Sequence, residues 1–389
     1  MDFFKNLFNI NTDINFNTLQ NSSRYDTSKK TIAFVCGSIP TFDKDSGSNR
    51  LKEIIKAYIE LNFNCILIVN QLENATKYLN YFNDLGVLTY NDHKAKNKTI
   101  SFFKSIPKVD FMWYYGPNSL KKNYGIVSKV QPNSKSIYDM VDIHFLRYKR
   151  AIELNPKRIS LKKRYKKYFK IETILAKKVD IVIAISEQEK NKMSSYLDKN
   201  KIITISNIHY PRISRKDTLP FEDRKNILFI GSSHTPNIDA LYYLYEKIMP
   251  IVWNKLPDLK VEILGNLKEQ ILDINNPNMI FHGYVPEIES YFNEAKFMVA
   301  PLRYGAGVKG KIGQSFEYYL PLITTEIGAE GMFLKHNKNA LIVNNEEDFA
   351  HEIINLYENK ELWEKLQSNS EDSLKPFSIE ILKETILTI

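Results

Sequence analysis

Only two cysteines occur in 389 residues, Cys36 and Cys65, and each sits inside an apolar, strand-like run. A disulfide-stapled scaffold is thereby excluded, and the pair reads as reduced core thiols of a cytoplasmic protein. No apolar run approaches the ~20 residues that span a bilayer, and the opening residues do not read as a secretory leader. The seven histidines are scattered. No zinc-type Cys/His spacing, HExxH or calcium-loop pattern accompanies them, so no metal is expected. Repeats of solenoid period are absent as well. What the chain does have is an apolar fraction of 43%, with 12% aromatics, enough for the two cores that its length predicts. Its net charge of +9, from 54 basic and 45 acidic residues, suits an anionic partner such as a nucleotide or an anionic lipid. Nucleic acid is not expected, because no RNA- or DNA-binding motif goes with the charge.

The chain alternates between short β-branched runs and amphipathic stretches. "KTIAFVCGS" predicts a strand, and "GSNRLKEIIKAYIELN" a helix with Leu51, Ile54, Ile55, Tyr58 and Ile59 on one face. Six more strand-like runs follow: "FNCILIVN", "GVLTY", "VDFMWYY", "KSIYDMV", "VDIVIAIS" and "KIITIS". The proline- and charge-rich "NIHYPRISRKDTLPFEDRK" reads as a linker. Alternation then restarts with "NILFIGSS", "KVEILGN", "MIFHGYV", "KFMVAPL", "PLITTE" and "ALIVN". Continuous apolar strands separated by helices predict parallel sheets buried on both faces, hence an α/β fold of two doubly wound units. The expected organisation is an N-terminal extension over 1–28, a first Rossmann-like domain over 29–210, a second over 211–373, and a closing segment over 374–389. Within the extension, Phe3, Phe4, Leu7 and Phe8 would share one helical face. That face either docks on the body or touches a membrane or partner.

Three loops carry candidate chemistry. In "RYGAGVKGK", Gly305, Gly307 and Gly310 have the spacing of a dinucleotide fingerprint, and Glu326 follows about 20 residues on, where such a fingerprint places its ribose-binding acid. The loop also carries Arg303, Lys309 and Lys311, and fixed cations beside free amides suit a leaving diphosphate. After the first strand, "CGSIPTFDKDSGSNR" brings Gly47 and Ser48 to the start of a helix, with Asp45 or Ser46 as its N-cap. The third, "YDMVDIHFLR", gathers Asp139, Asp142, His144 and Arg147 at a strand end; there His144 either donates to a sugar hydroxyl or accepts from a substrate. Residues 147–178 form the most basic segment. Leu161, Tyr165, Tyr168, Phe169 and Leu175 lie at helical spacing within it. It is either a solvated helix face or a surface for anionic lipid.

Taken together and in order, "DKDSGSNR", "YDMVDIHFLR", "FIGSSHTPNIDAL", "FHGYV", "APLRYGAGVKGKIGQ" and "TTEIGAEGM" resemble the GT-B-fold glycosyltransferases of the large retaining family 4 and its close relatives, from about Lys29 onward. The resemblance implies two Rossmann-like domains facing a cleft, with an acceptor on the N-terminal side and a nucleotide-diphospho-sugar, UDP-linked by default, on the C-terminal side. It implies a last helix that crosses back to the first domain, and a metal- and cofactor-independent hexosyl transfer with retention. The acceptor would be a glycan, lipid-linked or protein-linked molecule of surface polysaccharide or glycoconjugate synthesis. The enzyme would be cytoplasmic, with peripheral contact to the inner membrane face through 147–178.

Carried onto this chain, the resemblance gives His144, Lys311 and Arg303 the catalytic roles. Donor-binding residues would be Gly47, Gly231, Ser232, His234, Asn237, Gly283, Tyr284, Gly305, Ala306, Gly307, Val308, Lys309, Gly310 and Gln314. Asp45, Asp142 and Arg147 would face the acceptor. Three positions depart from the pattern. No cation pair follows "LFIG"; Gln314 stands where a ribose-binding glutamate is common; Tyr319 stands at a helix end usually held by glycine. The competing readings are an NAD-dependent oxidoreductase built on the Gly305–Gly310 loop and a non-catalytic GT-B partner subunit.

Overall fold

A computed structural model describes residues 25–69, 76–91, 103, 109–271 and 273–389; the apolar face predicted around Phe3 lies outside them. Each of the thirteen strand-like runs forms a strand. The first sheet comprises β1 (Thr31–Cys36), β2 (Asn64–Val69), β3 (Leu88–Asn91), β4 (Phe111–Tyr115), β5 (Lys135–Asp139), β6 (Ile181–Ala184) and β7 (Ile202–Thr204). They are parallel, in the order β3-β2-β1-β4-β5-β6-β7. The second comprises β8 (Lys225–Ile230), β9 (Val261–Leu264), β10 (Met279–Gly283), β11 (Ala295–Ala300), β12 (Leu322–Thr324) and β13 (Leu341–Ile342), again parallel, in the order β10-β9-β8-β11-β12-β13. In both sheets the strand order reverses beside the first strand, and the crevice at that switch point is where α/β sheets bind ligands.

The strands are buried on both faces, as their apolar composition requires. Ala33 and Val35 pack into one cluster, while Ile32, Phe34 and Cys36 pack into the cluster on the opposite face. Cys36 and Cys65 are free and buried, and burial pushes both thiols up. Helix α1 (Ser46–Glu60) begins because Asp45 caps it: its carboxylate accepts from the Ser48 N–H at 2.7 Å. Leu51, Ile54, Ile55 and Tyr58 then lay one face of α1 on the sheet. The helix is also pinned from within. Arg50, fully buried, reaches Asp139 at the end of β5 with bonds of 2.8 and 3.0 Å and donates to the Ile205 carbonyl at 2.9 Å. Asp139 additionally accepts from Trp113 Nε1 at 3.2 Å and from the Val141 N–H at 3.1 Å. Val141 takes a φ of 65°, a costly value for a β-branched residue, at the very loop that leads to His144.

The last helix, here α7 (Ile379–Leu387), packs against α1; Leu382 and Ile386 enter the first domain's core, and Lys383 pairs with Glu60 at 2.6 Å. Among the described residues, no helix is long and apolar enough to cross a membrane.

Candidate active site

The two domains meet along the carboxyl ends of their strands, and several contacts require the absence of a side chain. At Gly310, the first residue of α6 (Gly310–Glu317), a Cβ would lie 2.3 Å from Ser46 Cβ, the first residue of α1. Two helix N-termini from different domains are thus pressed together, that of α1 capped by the Asp45 carboxylate and that of α6 without a side-chain cap. Gly307, at a φ of 71°, brings its backbone against Asp142, where a Cβ would stand 3.0 Å from Asp142 Cβ. Gly331 packs in the same way against Ser186, and Ile185 of the first domain completes an apolar cluster of the second. Polar ties close the rim. Arg150 donates to Gly305 O at 2.6 Å and pairs with Glu330, while Tyr284 donates to Asp43 at 3.4 Å.

Lys309 and Lys311 stand at this junction. Lys309 donates through Nζ to the Ala306 and Gly307 carbonyls; burial pushes it down to about 8, against the pull of Glu330 and Glu189. Lys311 donates to Asn237 Oδ1 at 2.7 Å and lies over Phe229, 5.1 Å from the ring centroid. Burial, then repulsion from Lys309, push it down to about 7. Two lysines with lowered affinity for their protons, beside the uncapped start of α6, suit an anionic partner.

The second domain supplies a glycine platform beside them. Gly231 leaves room for Asn237, whose side chain donates to Ser232 O at 3.0 Å. Gly265, with a φ of 110°, passes so close to Gly231 O that no Cβ fits, and its N–H donates to Gly283 O at 2.7 Å. Gly283 itself has a φ of 69°. The ends of β8, β9 and β10 thus lie close together as bare backbone, with Tyr284 exposed beside them. Val308 is buried beneath the loop, and Gln314 is partly buried on α6. His234 precedes helix α5 (Thr235–Tyr243) and lies within electrostatic reach of Asp142, His144 and Arg147 across the cleft.

On the first domain, His144 opens helix α2 (His144–Leu154). Its Nδ1 lies 2.8 Å from Asp142 Oδ1 and 3.0 Å from Glu172 Oε1, and its ring stacks on Tyr168. Burial opposes the charged form, but the two carboxylates prevail and raise the imidazole to about 10. The arrangement thus favours the charged imidazolium over the neutral ring. Asp142 also pairs with Arg147 at 3.1 Å. Glu172, buried in helix α3 (Ile159–Thr173), caps α2 by accepting from the His144 and Phe145 N–H groups at 3.1 and 3.0 Å. Beside His144 lies a cavity of about 250 Å³, lined by Gly37, Ser38, Ile39, Pro40, Ser48, Tyr115, Gly116, Pro117, Asn118, Ser119 and Val141. Gly47 borders it, with Tyr115 Oη 2.7 Å from where its Cβ would be.

Some expected residues take other places. Arg303 is not part of the lysine cluster: its guanidinium pairs with Asp239, at 2.9 Å through Nε, and lies over Tyr243. Asp45 uses its carboxylate on Thr41, Ser48 N and Ser48 Oγ, the work of an N-cap. In the basic segment, Tyr168 is buried in the first domain's core and Tyr165, Phe169 and Leu175 pack against it, while Leu161 is half-buried and most of the cations are exposed. The Gly305–Gly310 loop follows β11, the fourth strand of its sheet, whereas a dinucleotide fingerprint follows the first. Tyr319 does adopt the left-handed conformation, φ 54°, and is held there by a 2.5 Å bond to Glu371.

Solved structures share this architecture. Anabaena HepE in complex with UDP-glucose superposes with a TM-score of 0.69 at 12% identity, covering 92% of this chain and 98% of that one. Sucrose-phosphate synthase from Thermosynechococcus elongatus gives 0.70 at 13%, over 92% and 98%. A complex of S. aureus TarM with UDP, among other ligands, gives 0.68 at 15%, over 92% and 99%. This is the GT-B fold. Residues 224–359, most of the second GT-B domain, match the family model "Glycosyl transferases group 1". A Klebsiella pneumoniae protein described as "Uncharacterized 44.6 kDa protein in cps region" is 28% identical over 220 residues, 50% of this chain; the match spans 57% of that relative's length.

Proposed function

We propose that this GT-B protein is a glycosyltransferase that moves a hexosyl group, with retention, from a UDP-sugar to a hydroxyl of a glycan, lipid-linked or protein-linked acceptor. The observation that carries the reading is the meeting of the α1 and α6 N-termini around Lys309 and Lys311, a built site for a diphosphate. The glycine platform at Gly231, Gly265 and Gly283 receives the nucleoside. The 250 Å³ cavity beside His144 receives the acceptor. The match of the second domain and the UDP ligands of its structural neighbours support a sugar-nucleotide donor. The cps-region relative supports surface polysaccharide as the product class.

In the reaction, the bond between the sugar's anomeric carbon and the diphosphate oxygen breaks as the acceptor oxygen bonds to that carbon. The acceptor's proton passes to the departing diphosphate. Lys309, Lys311 and the uncapped start of α6 take up the negative charge that grows there, the role a divalent cation would otherwise fill. The imidazolium of His144 donates to a sugar hydroxyl. Placement on the inner membrane face, through the cationic side of residues 147–178, belongs to the same proposal.

A hydrolysis and transfer panel over nucleotide sugars tests enzyme class and donor together. UDP release from one UDP-sugar is the expected result. Thermal stabilisation by NAD and by no nucleoside diphosphate would overturn the reading in favour of an oxidoreductase. Binding of a nucleotide sugar with no turnover would favour a non-catalytic subunit, for which Gln314 is the motivating departure.

A further inference from the structure

Glu189 is a buried ionisable group to which sugar transfer, as laid out above, gives no part. It is the third residue of helix α4 (Glu187–Met193), whose N-cap Ser186 accepts from the Glu189 N–H at 3.2 Å. In such a Ser-x-x-Glu start the glutamate ordinarily turns back to the N–H of the capping residue. Here it does not. The residue is 6% exposed and its side chain runs across the domain boundary: Oε1 accepts from Ile143 N at 3.2 Å and from Gly307 N at 2.9 Å, while Oε2 is buried without a hydrogen-bond partner.

Ile143 immediately precedes His144, and Gly307 is the middle glycine of the diphosphate loop. One carboxyl oxygen therefore joins a loop of each domain. Lys309 holds the same glycine by its carbonyl, so Gly307 is gripped at both N–H and C=O. A merely capping glutamate would not cross between domains or leave one oxygen buried and unpaired, which disfavours the folded arrangement unless something offsets it. Burial, followed by repulsion from Asp142, pushes the Glu189 carboxyl up to about 8, with Lys309 and the two amides pulling the other way. At neutral pH it mostly keeps its proton, which makes glutamine a close mimic.

We propose that Glu189 is a positioning residue for the transfer reaction, holding the diphosphate loop and the acceptor-side histidine in register across the closed cleft. The proposal rests on the reading of the cleft as a glycosyl-transfer site. Its effect falls on turnover, where alignment of amides with developing charge matters most. Donor binding is left largely to the lysines and helix ends.

The test compares E189A, E189D and E189Q in the full chain, with the donor that the panel identifies. E189A, and E189D whose shorter side chain cannot span both loops, should lose kcat by about 10–100-fold, with donor KM changed less than about threefold. E189Q should stay within about threefold of wild type, because its carbonyl oxygen still accepts both amides. Wild-type kcat in E189A or E189D, or an E189Q as impaired as E189A, overturns the proposal. If wild type turns over no nucleotide sugar, the transfer reading fails by itself, and amide hydrogen exchange decides about Glu189 separately. Protection at Ile143 and Gly307 should fall together in E189A and persist in E189Q. Unchanged protection, or loss at one amide alone, overturns the bridging role.

Discussion

Replacing Lys311 by methionine should abolish transfer and yet make the unliganded protein more stable. The reason is the position of its ammonium, partly exposed at the junction of the domains, next to Lys309 and over the Phe229 ring. Burial and the neighbouring lysine bring Lys311 from an ordinary 10.5 to about 7. A lysine depressed on folding costs stability wherever the unfolded chain would hold the proton more tightly. The cost is full below pH 7, shrinks as pH rises from 7 to 10.5, and is gone above that. At ~1.36 kcal/mol per tenfold change in proton affinity, the full drop bounds the cost at ~5 kcal/mol. The 2.7 Å bond to Asn237 and the partial exposure of the side chain reduce it, so a gain of ~1–2 kcal/mol, or about 2–6 °C in Tm, is expected for K311M at pH 7. Differential scanning fluorimetry from pH 6.5 to 10, with and without UDP, is the assay. The gain should fade as pH rises, and UDP should stabilise wild type far more than the variant. An equal UDP response, a K311M that melts below wild type at pH 7, or a gain independent of pH would refute the assignment of Lys311 to the diphosphate.

Three further outcomes follow from the same geometry. His144→Ala should lower turnover about 100-fold while changing UDP affinity by calorimetry less than about threefold; since the imidazole holds its proton up to about 10, wild-type activity should show no histidine limb between pH 6 and 8, and a loss confined to nucleotide binding would place His144 wrongly. Gly310→Ala should reduce kcat/KM more than tenfold because its Cβ would meet Ser46 Cβ at 2.3 Å, and adding Ser46→Gly should restore part of the loss; absence of any rescue would contradict the helix-end contact. Arg50→Met leaves Asp139 buried with Trp113 and the Val141 N–H as its remaining partners, so urea unfolding should show a loss of ~3–5 kcal/mol, and a loss below ~1 kcal/mol would mean the pair is better solvated than its burial indicates.

The strands were legible in the amino-acid sequence because each is a continuous apolar run between turn residues, and a sheet covered on both faces demands that pattern. The lysine-bearing glycine loop was legible for a similar reason: its composition is local and its chemistry needs neighbours only a few residues apart. Partnerships over long separations were not. Nothing near Gly231 in sequence announces Gly265 pressing on its carbonyl, and nothing near His144 announces Glu172 capping its helix from 28 residues away. The partner of Arg303 was not legible either, because composition places a cation in the loop without saying that Asp239 holds it. His209, whose Nδ1 meets Glu317 at 2.9 Å and whose ring fills the space left by Gly313, was read as ordinary linker. Ser186 and Glu189 did carry a local signal, the Ser-x-x-Glu pattern, but the pattern alone points back along the helix rather than across the cleft.

The seating of α7 on α1 bears on how the protein is made. Leu382 and Ile386 are part of the first domain's core, although the last strand of that domain ends at Thr204. At ~5–20 residues per second, the ribosome finishes the first sheet long before it delivers the two side chains that cover its helix. During that interval the apolar patch on α1 stands uncovered, and the second domain must be threaded and folded beside it. Delivery of α7, rather than completion of either sheet, is the event that seals the first domain.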